Sequence, residues 1–343
     1  MSRSQGRTPR LEDVATRANV HVSTVSRVLN RRDGDAIRPE TRERIFRAAR
    51  ELRYRPNALA RALKTSTTGA IGLLVPSLRN PVYSAVIRGA FDRAWERSFV
   101  VVLAEDLDES SAQQAYERLV EEGRIDGVMI ASTRPGSPLL DLVARDSVPC
   151  VFVNRRHPGS GRNVSMREED AGGLAAAHLI GLGHTQLAHI SGPGELDTAK
   201  RRAEGFLRAA ADAGLDVAVV EAPFEERGGF QAMCDLLERP HGPTAVFASN
   251  INQAVGAMAA AHQAAAGVPD DVSLIGYDDD PLGEYLHTPL TAIRMPLHEL
   301  GRIAVDALLD QIQGGHPRDV VVESAPELVV RSSTAAPPPG GLP

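Results

Sequence analysis

The sequence predicts two fold classes in one chain of 343 residues: an all-α module at the N-terminus, and an α/β body of two doubly wound parallel sheets. Three observations predict this. Apolar residues recur at helical spacing through the first fifty or so residues. Short apolar runs then alternate with helical stretches, the pattern of parallel sheets wrapped by helices. Charge divides at the same place. Residues 1–64 hold 16 Lys+Arg against 7 Asp+Glu, and the remainder holds 22 against 37. A basic module on an acidic body is the electrostatic footprint of a phosphate-binding head.

Residues 1–10 read as a basic arm without fixed structure. Leu11, Val14, Ala15 and Ala18 fall at i, i+3, i+4 and i+7, the stripe of a short helix, and Asn19 and Val20 interrupt it in a tight turn. A second short helix puts Val25, Val28 and Leu29 on one side and Ser23, Thr24, Ser26, Arg27 and Asn30 on the other. Small donors and acceptors with one Arg are the set that reads base edges and phosphates in a major groove. Neither helix can bury its stripe alone. Residues 38–52 supply a third, with Ile45, Ala48, Ala49 and Leu52 at the same spacing. Together they predict a helix-turn-helix headpiece over 11–56.

Residues 57–69 follow as a short helix (57–64, with Ala58, Leu59, Ala62 and Leu63 apolar) and a polar linker. Eight residues are too few for a stable isolated helix, so it is expected to form when two copies pack together on DNA. In the body, 70–332, the runs AIGLLV, FVVVLAE, DGVMIA, PCVFVN, QLAHIS, TAVFAS and VSLIGY are the expected strands. There are too many for one sheet of this size. The Pro/Gly-rich tail, 333–343, is expected to be disordered.

No apolar run approaches the ~20 residues of a membrane helix, and the first ten residues have no apolar core of the kind a secretion signal needs. Cys150 and Cys234 are isolated, which suggests no disulfide framework; Cys150 sits in an apolar strand and reads as a buried structural thiol. A cytoplasmic, nucleoid-associated protein is expected. No G-x-S-x-G elbow, P-loop or H-E-x-x-H stands in the sequence. GLGHTQ (181–186) lacks a third glycine and precedes a strand. His178, His184 and His189 have no Cys or carboxylate cluster to join them as metal ligands. No catalytic residue, metal or cofactor is expected.

The phrases DVA…TVSRVLN, TRERI…AARELRYRPN and NALARALK, then HLIGLGHTQLAHISGP, RRAEGF, PTAVFASN and DVSLIGYDDD…PLTAIRMP, resemble the LacI/GalR family of bacterial transcription factors in order and spacing. The resemblance covers roughly residues 10–332. It implies a periplasmic-binding-protein-like sensor with an N-lobe over 70–165 and 294–322 and a C-lobe over 166–291 and 327–332. The chain would cross between lobes near 164–166, 291–294 and 322–327. It also implies that Val22 and Ser23 read bases, that Thr24, Ser26, Arg27, Asn30, Asn57 and Ala60 contact DNA, and that Leu63 wedges into the minor groove, kinking the duplex. Two departures stand out. His21 takes the place of a usual Ser at the start of the second helix; His is a poorer cap, so a looser start or a phosphate contact is expected. The loop 31–37 exceeds the family pattern by two residues and brings Arg31 and Arg32.

For the effector, the resemblance implies ligand contacts by Arg202 and Asp278, a fork of donors and a pair of acceptors suited to hydroxyls or a carboxylate. Asn250, Phe224, Thr198, Tyr83 and Asn154 fall on further pocket positions, each with a structural reading of equal weight. Leu196 replaces an Arg that binds purines, and Ile251 and Met295 replace polar residues of sugar sensors. The expectation is a homodimeric repressor on a pseudo-palindromic operator, controlled allosterically by a small-molecule effector with a sugar as candidate, and no membrane partner. A solute-binding protein or a sugar-modifying enzyme on the same two-lobed fold is the alternative.

Overall fold

The computed structural model describes residues 9–29, 37–54, 67–106, 109–120, 122–132, 138–145 and 148–338. The arm 1–8, Asn30, residues 31–36 and the expected hinge helix with Asn57, Ala60 and Leu63 lie outside them. The chain forms two compact units, Met1–Thr68 and Gly69–Pro343.

In the first unit, α1 (Leu11–Ala18), α2 (Val22–Leu29) and α3 (Pro39–Glu51) close on one another. Val14, Ala15 and Ala18 from α1 meet Val25 and Val28 from α2 and Ile45, Ala48 and Ala49 from α3 in one core. Asn19 ends α1 in the left-handed region, φ 49°, which Asn tolerates better than most side chains. This turns the chain within two residues, so that both stripes face α3. The Asp13 carboxylate accepts from the Arg10 backbone N–H at 2.6 Å, satisfying an N–H at the start of α1.

The second unit holds two six-stranded sheets. The first runs β11-β5-β4-β3-β1-β2, all parallel, from β1 (Ala70–Val75), β2 (Val100–Glu105), β3 (Val128–Ile130), β4 (Cys150–Val153), β5 (Asn163–Ser165) and β11 (Val320–Val321). The second runs β12-β10-β9-β8-β6-β7, from β6 (Leu187–Ser191), β7 (Val217–Glu221), β8 (Ala245–Ala248), β9 (Ser273–Tyr277), β10 (Thr291–Arg294) and β12 (Glu327–Val329). Only the β10–β12 pair among its described pairs is antiparallel. The chain leaves the first sheet after β5, returns after β10 and leaves again after β11. Central strands such as β1, β4, β8 and β9 are buried along their whole length, as parallel sheets covered on both faces require.

Helices pack on these sheets in pairs: α4 (Val82–Glu96) with α11 (Leu297–Ile312), α7 (Glu168–Gly181) with α8 (Asp197–Asp212), and α9 (Glu226–Leu237) with α10 (Ile251–Gln263). Each pair crosses backbone against backbone at two reciprocal glycines. Gly172 lies on the Arg202 carbonyl and Gly205 on that of Glu169. Gly229 lies on the Gln253 carbonyl and Gly256 on that of Glu226; Gly89 and Gly301 repeat the contact between α4 and α11. A Cβ at any of the six would collide with a carbonyl, so close approach dictates glycine. The helices α5 (Glu109–Val120) and α6 (Pro138–Arg145) complete the first lobe.

The stretch 217–221, not among the expected strands, is strand β7, half-exposed at a sheet edge. One expectation is corrected: the tail, expected to be disordered over 333–343, is ordered at least to residue 338. Ser333 is fully buried; its hydroxyl donates to the Leu274 carbonyl at 2.5 Å and accepts from the Thr291 N–H at 2.8 Å. The Ala335 carbonyl meets His184 Nε2 at 2.8 Å and the Ser273 hydroxyl at 3.1 Å. Proline removes donors, but Ser, Thr and carbonyl groups ahead of it still bond.

Candidate nucleic-acid interface and effector site

On α2, Val25 and Val28 face the core while Ser23 and Arg27 are exposed and Val22, Thr24 and Ser26 are half-buried. His21 departs from expectation. Its Nδ1 accepts from the Ser23 backbone N–H at 3.3 Å and lies 2.8 Å from the Ser23 hydroxyl. The imidazole thus replaces the missing Ser, satisfying one of the orphan N–H groups at the helix start, and the start is not loose. Two polar groups of Ser23 are held by that cap.

In the body, Arg202, expected to present its fork to a ligand, is itself buried and held on three sides. Its Nε and Nη2 donate to Glu168 Oε2 at 3.1 and 2.8 Å, and Nη1 donates to the Ser249 carbonyl. The guanidinium lies over the Tyr277 ring, 3.2 Å from its centroid, and the Tyr277 hydroxyl donates to the same Glu168 oxygen at 2.5 Å. Burial pushes the Tyr277 phenol well above its ordinary range, so it stays a donor. Asp278 follows directly. It sits in the left-handed region, φ 67°, a conformation that costs energy in a residue other than glycine. Burial raises its carboxyl to about 7, with Arg202 opposing and Glu168 and Asp280 adding to the rise. Its Oδ1 has no hydrogen-bond partner among the described residues.

Asn154, at the end of β4, repeats both signs: φ 70° and an unpartnered Oδ1. Ser132, just past β3, has an unpartnered hydroxyl. Unpaired buried polar atoms and strained backbone gather where a bound molecule completes the hydrogen bonding. These residues lie past the carboxyl ends of strands, the position at which open α/β sheets bind ligands. The two groups are tied together by Asp197, which accepts from Arg156 N at 3.0 Å and from Arg201 Nη2 at 2.8 Å. Burial would raise the Asp197 carboxyl; Arg201 and Arg156 hold it below its ordinary value.

The other expected positions divide. Thr198 is buried in the first turn of α8. Phe224 is half-buried, its ring against Gly192. Asn250 is occupied structurally. Its Oδ1 caps α10 by accepting from Gln253 N at 2.8 Å, and its Nδ2 donates to the Phe224 carbonyl at 3.2 Å. Tyr83 is buried within the core formed around α4 and α11. Sequence reasoning missed Glu168, Tyr277 and Arg155. Arg155 is 8% exposed, with no partner for Nε and no ion pair among the described residues. Its only sequence signal was adjacency to Asn154.

His189 stacks on Phe206 and Phe247, which also stack on each other, and Nδ1 donates to the Phe247 carbonyl at 3.0 Å. Burial lowers it to about 4, so it is a neutral core residue. His184 and His178 bond to Thr244 and Thr334. No group of three or more metal-ligating side chains occurs among the described residues. A cavity of about 580 Å³ opens between α6, the loop after β4 and the end of α11, and none of the expected effector residues line it. No described helix is long and apolar enough to cross a membrane.

The lacI family of bacterial regulatory proteins matches residues 10–57, and the periplasmic binding protein-like domain matches residues 176–334. The ribose operon repressor of Escherichia coli is 36% identical over 330 residues, 94% of this chain and 99% of that protein. The HTH-type transcriptional repressor PurR of Photobacterium profundum is 32% identical over 328 residues, 94% of this chain and 98% of that one. Among solved structures, the lac repressor dimer bound to operator and the anti-inducer ONPF aligns with a TM-score of 0.83 at 29% identity, covering 96% of this chain and 100% of that one. A LacI family regulator from Enterococcus faecium with bound ribose aligns at 0.68 and 28%, covering 78% and 99%. With the three-helix basic module, the two strand-crossed sheets and full-length relatives that are repressors rather than enzymes, this chain belongs to the LacI family of bacterial regulatory proteins.

Proposed function

We propose that the protein is a cytoplasmic, homodimeric transcriptional repressor whose affinity for a pseudo-palindromic operator is set by a small polyhydroxylated effector. The α2 face carries the reading: Ser23 and Arg27 are exposed opposite a closed core, on a module with a strong excess of positive charge. Val22, Thr24 and Ser26 belong to the same DNA-contacting face, and Asn30, Asn57, Ala60 and Leu63 join it by family resemblance. In the body, Arg202, Asp278, Asn154 and Thr198 form the effector site, with Phe224 at its edge. Relatives support a sugar: one is a ribose operon repressor, one regulator is bound to ribose, and another is a cellobiose complex. Ligand bound between strand ends of both sheets would bias one lobe arrangement over another, a coupling typically worth about 1–3 kcal/mol.

The test is a gel shift on DNA upstream of its own gene across a salt series, with a steep loss of affinity expected as salt rises. Salt-independent or absent binding would refute the reading. Arg202→Ala and Asp278→Ala should bind the operator as wild type does and no longer respond to effector.

A further inference from the structure

Glu168 is fully buried in the first turn of α7. It neutralises Arg202 and, with the Ser249 carbonyl and the Tyr277 ring, fixes the plane of the guanidinium. Three of the five N–H groups of Arg202 are thereby directed at the protein, leaving the others for a ligand. The carboxyl groups around these strand ends at least match the cations: Arg155, Arg156, Arg201 and Arg202 stand against Glu168, Glu169, Asp197, Asp278 and Asp280. An anionic ligand would bring an unmatched charge into a buried setting, which is costly. The unpartnered atoms here are three acceptors, Asp278 Oδ1, Asn154 Oδ1 and Glu168 Oε1, one donor, Arg155 Nε, and the Ser132 hydroxyl, which can do either. A hydroxyl, which donates and accepts, satisfies both kinds; an ionised phosphate or carboxylate satisfies only the donors.

We propose that Glu168 is a positioning and specificity residue: by neutralising and orienting Arg202 it makes the site select uncharged, hydroxyl-rich ligands over their phosphorylated or carboxylated counterparts. This rests on the strand-end site being the effector site. Burial and the neighbouring Glu168 already raise the Asp278 carboxyl to about 7, and a second anion would disfavour its ionised form further.

Titration calorimetry on the full chain tests this with matched pairs: D-ribose with ribose 5-phosphate, and cellobiose with cellobionate. Wild type is expected to bind the neutral member of at least one pair about tenfold or more tighter than its anion. Glu168→Gln, which keeps the shape, is expected to shrink that ratio about tenfold, equivalent to ~1.4 kcal/mol. A purely structural role would weaken both members alike and leave the ratio unchanged. Melting curves verify that each variant folds. The proposal is overturned if wild type binds an anion as tightly as its neutral partner, if the ratio is unchanged in Glu168→Gln, or if no pair binds at all. Asp278→Ala separates the two layers. Anion binding that Asp278→Ala abolishes keeps the site and refutes the role of Glu168; binding indifferent to Asp278→Ala refutes the site.

Discussion

Arg27 projects from α2 on the side away from Val25 and Val28 and takes no part in the headpiece core. Arg27→Ala should therefore weaken operator binding by about 1–3 kcal/mol, the worth of a good base or phosphate contact, with no change in melting temperature. Wild-type affinity in a gel shift would remove Arg27 from the interface. Asp278 offers a test through pH. Its folded carboxyl sits at about 7 against an ordinary 3.8. A group raised on folding lends stability that is complete below the unfolded value and lost as pH rises through the folded one. Between pH 4 and 7 the unliganded wild type should lose melting temperature relative to Asp278→Asn, which does not titrate; parallel curves would contradict this. Arg202 and Asp278 were legible because they stand in the family-like phrases RRAEGF and GYDDD. Glu168 was not. In MREED it resembles any acidic first turn of a solvated helix, and its partners are 34 and 109 residues away in sequence.

At the scale of elements, packing decides what local pattern leaves open. The runs that became β1–β4, β6, β8 and β9 were readable as predominantly apolar segments, even where, as in β2, they lie half-exposed at a sheet edge. β7 was passed over because its apolar run is only four residues, VAVV, bounded by Asp216 and Glu221; β5, β11 and β12 are only two or three residues long. His21 could not be read as a cap because its value depends on ring orientation, and the ordered tail depends on His184, Ser273 and Thr291, far from it in sequence. Ending the chain at residue 332 should leave the Leu274 carbonyl and Thr291 N–H without Ser333, and His184 without Ala335. Buried groups left unpaired cost about 1–3 kcal/mol each, so a clear fall in melting temperature is expected; an unchanged curve would show the strap to be superficial. Gly172→Ala would drive a methyl into the Arg202 carbonyl. Overpacking of this kind costs about 1–3 kcal/mol. Because the displaced residue is Arg202, effector affinity in calorimetry should fall along with stability; undiminished affinity would mean the crossing does not position the site.

For the molecule as a whole, the division of charge and the change from helical to alternating pattern marked two units without any tertiary information. Their internal wiring is another matter. Each lobe of the body is assembled from distant parts of the chain: the first sheet needs β11 at Val320–Val321, and the second needs β12 at Glu327–Val329. The headpiece core uses nothing beyond Tyr54. Chains emerge from the ribosome N-terminus first, and domains fold as units in that order. A nascent chain thus owns a folded, basic head for the whole time its sensor cannot close either sheet. Any message or protease that ends the chain before about residue 320 yields a product with that head and neither sheet complete, so loss of control over the operator is the failure built into this order of synthesis.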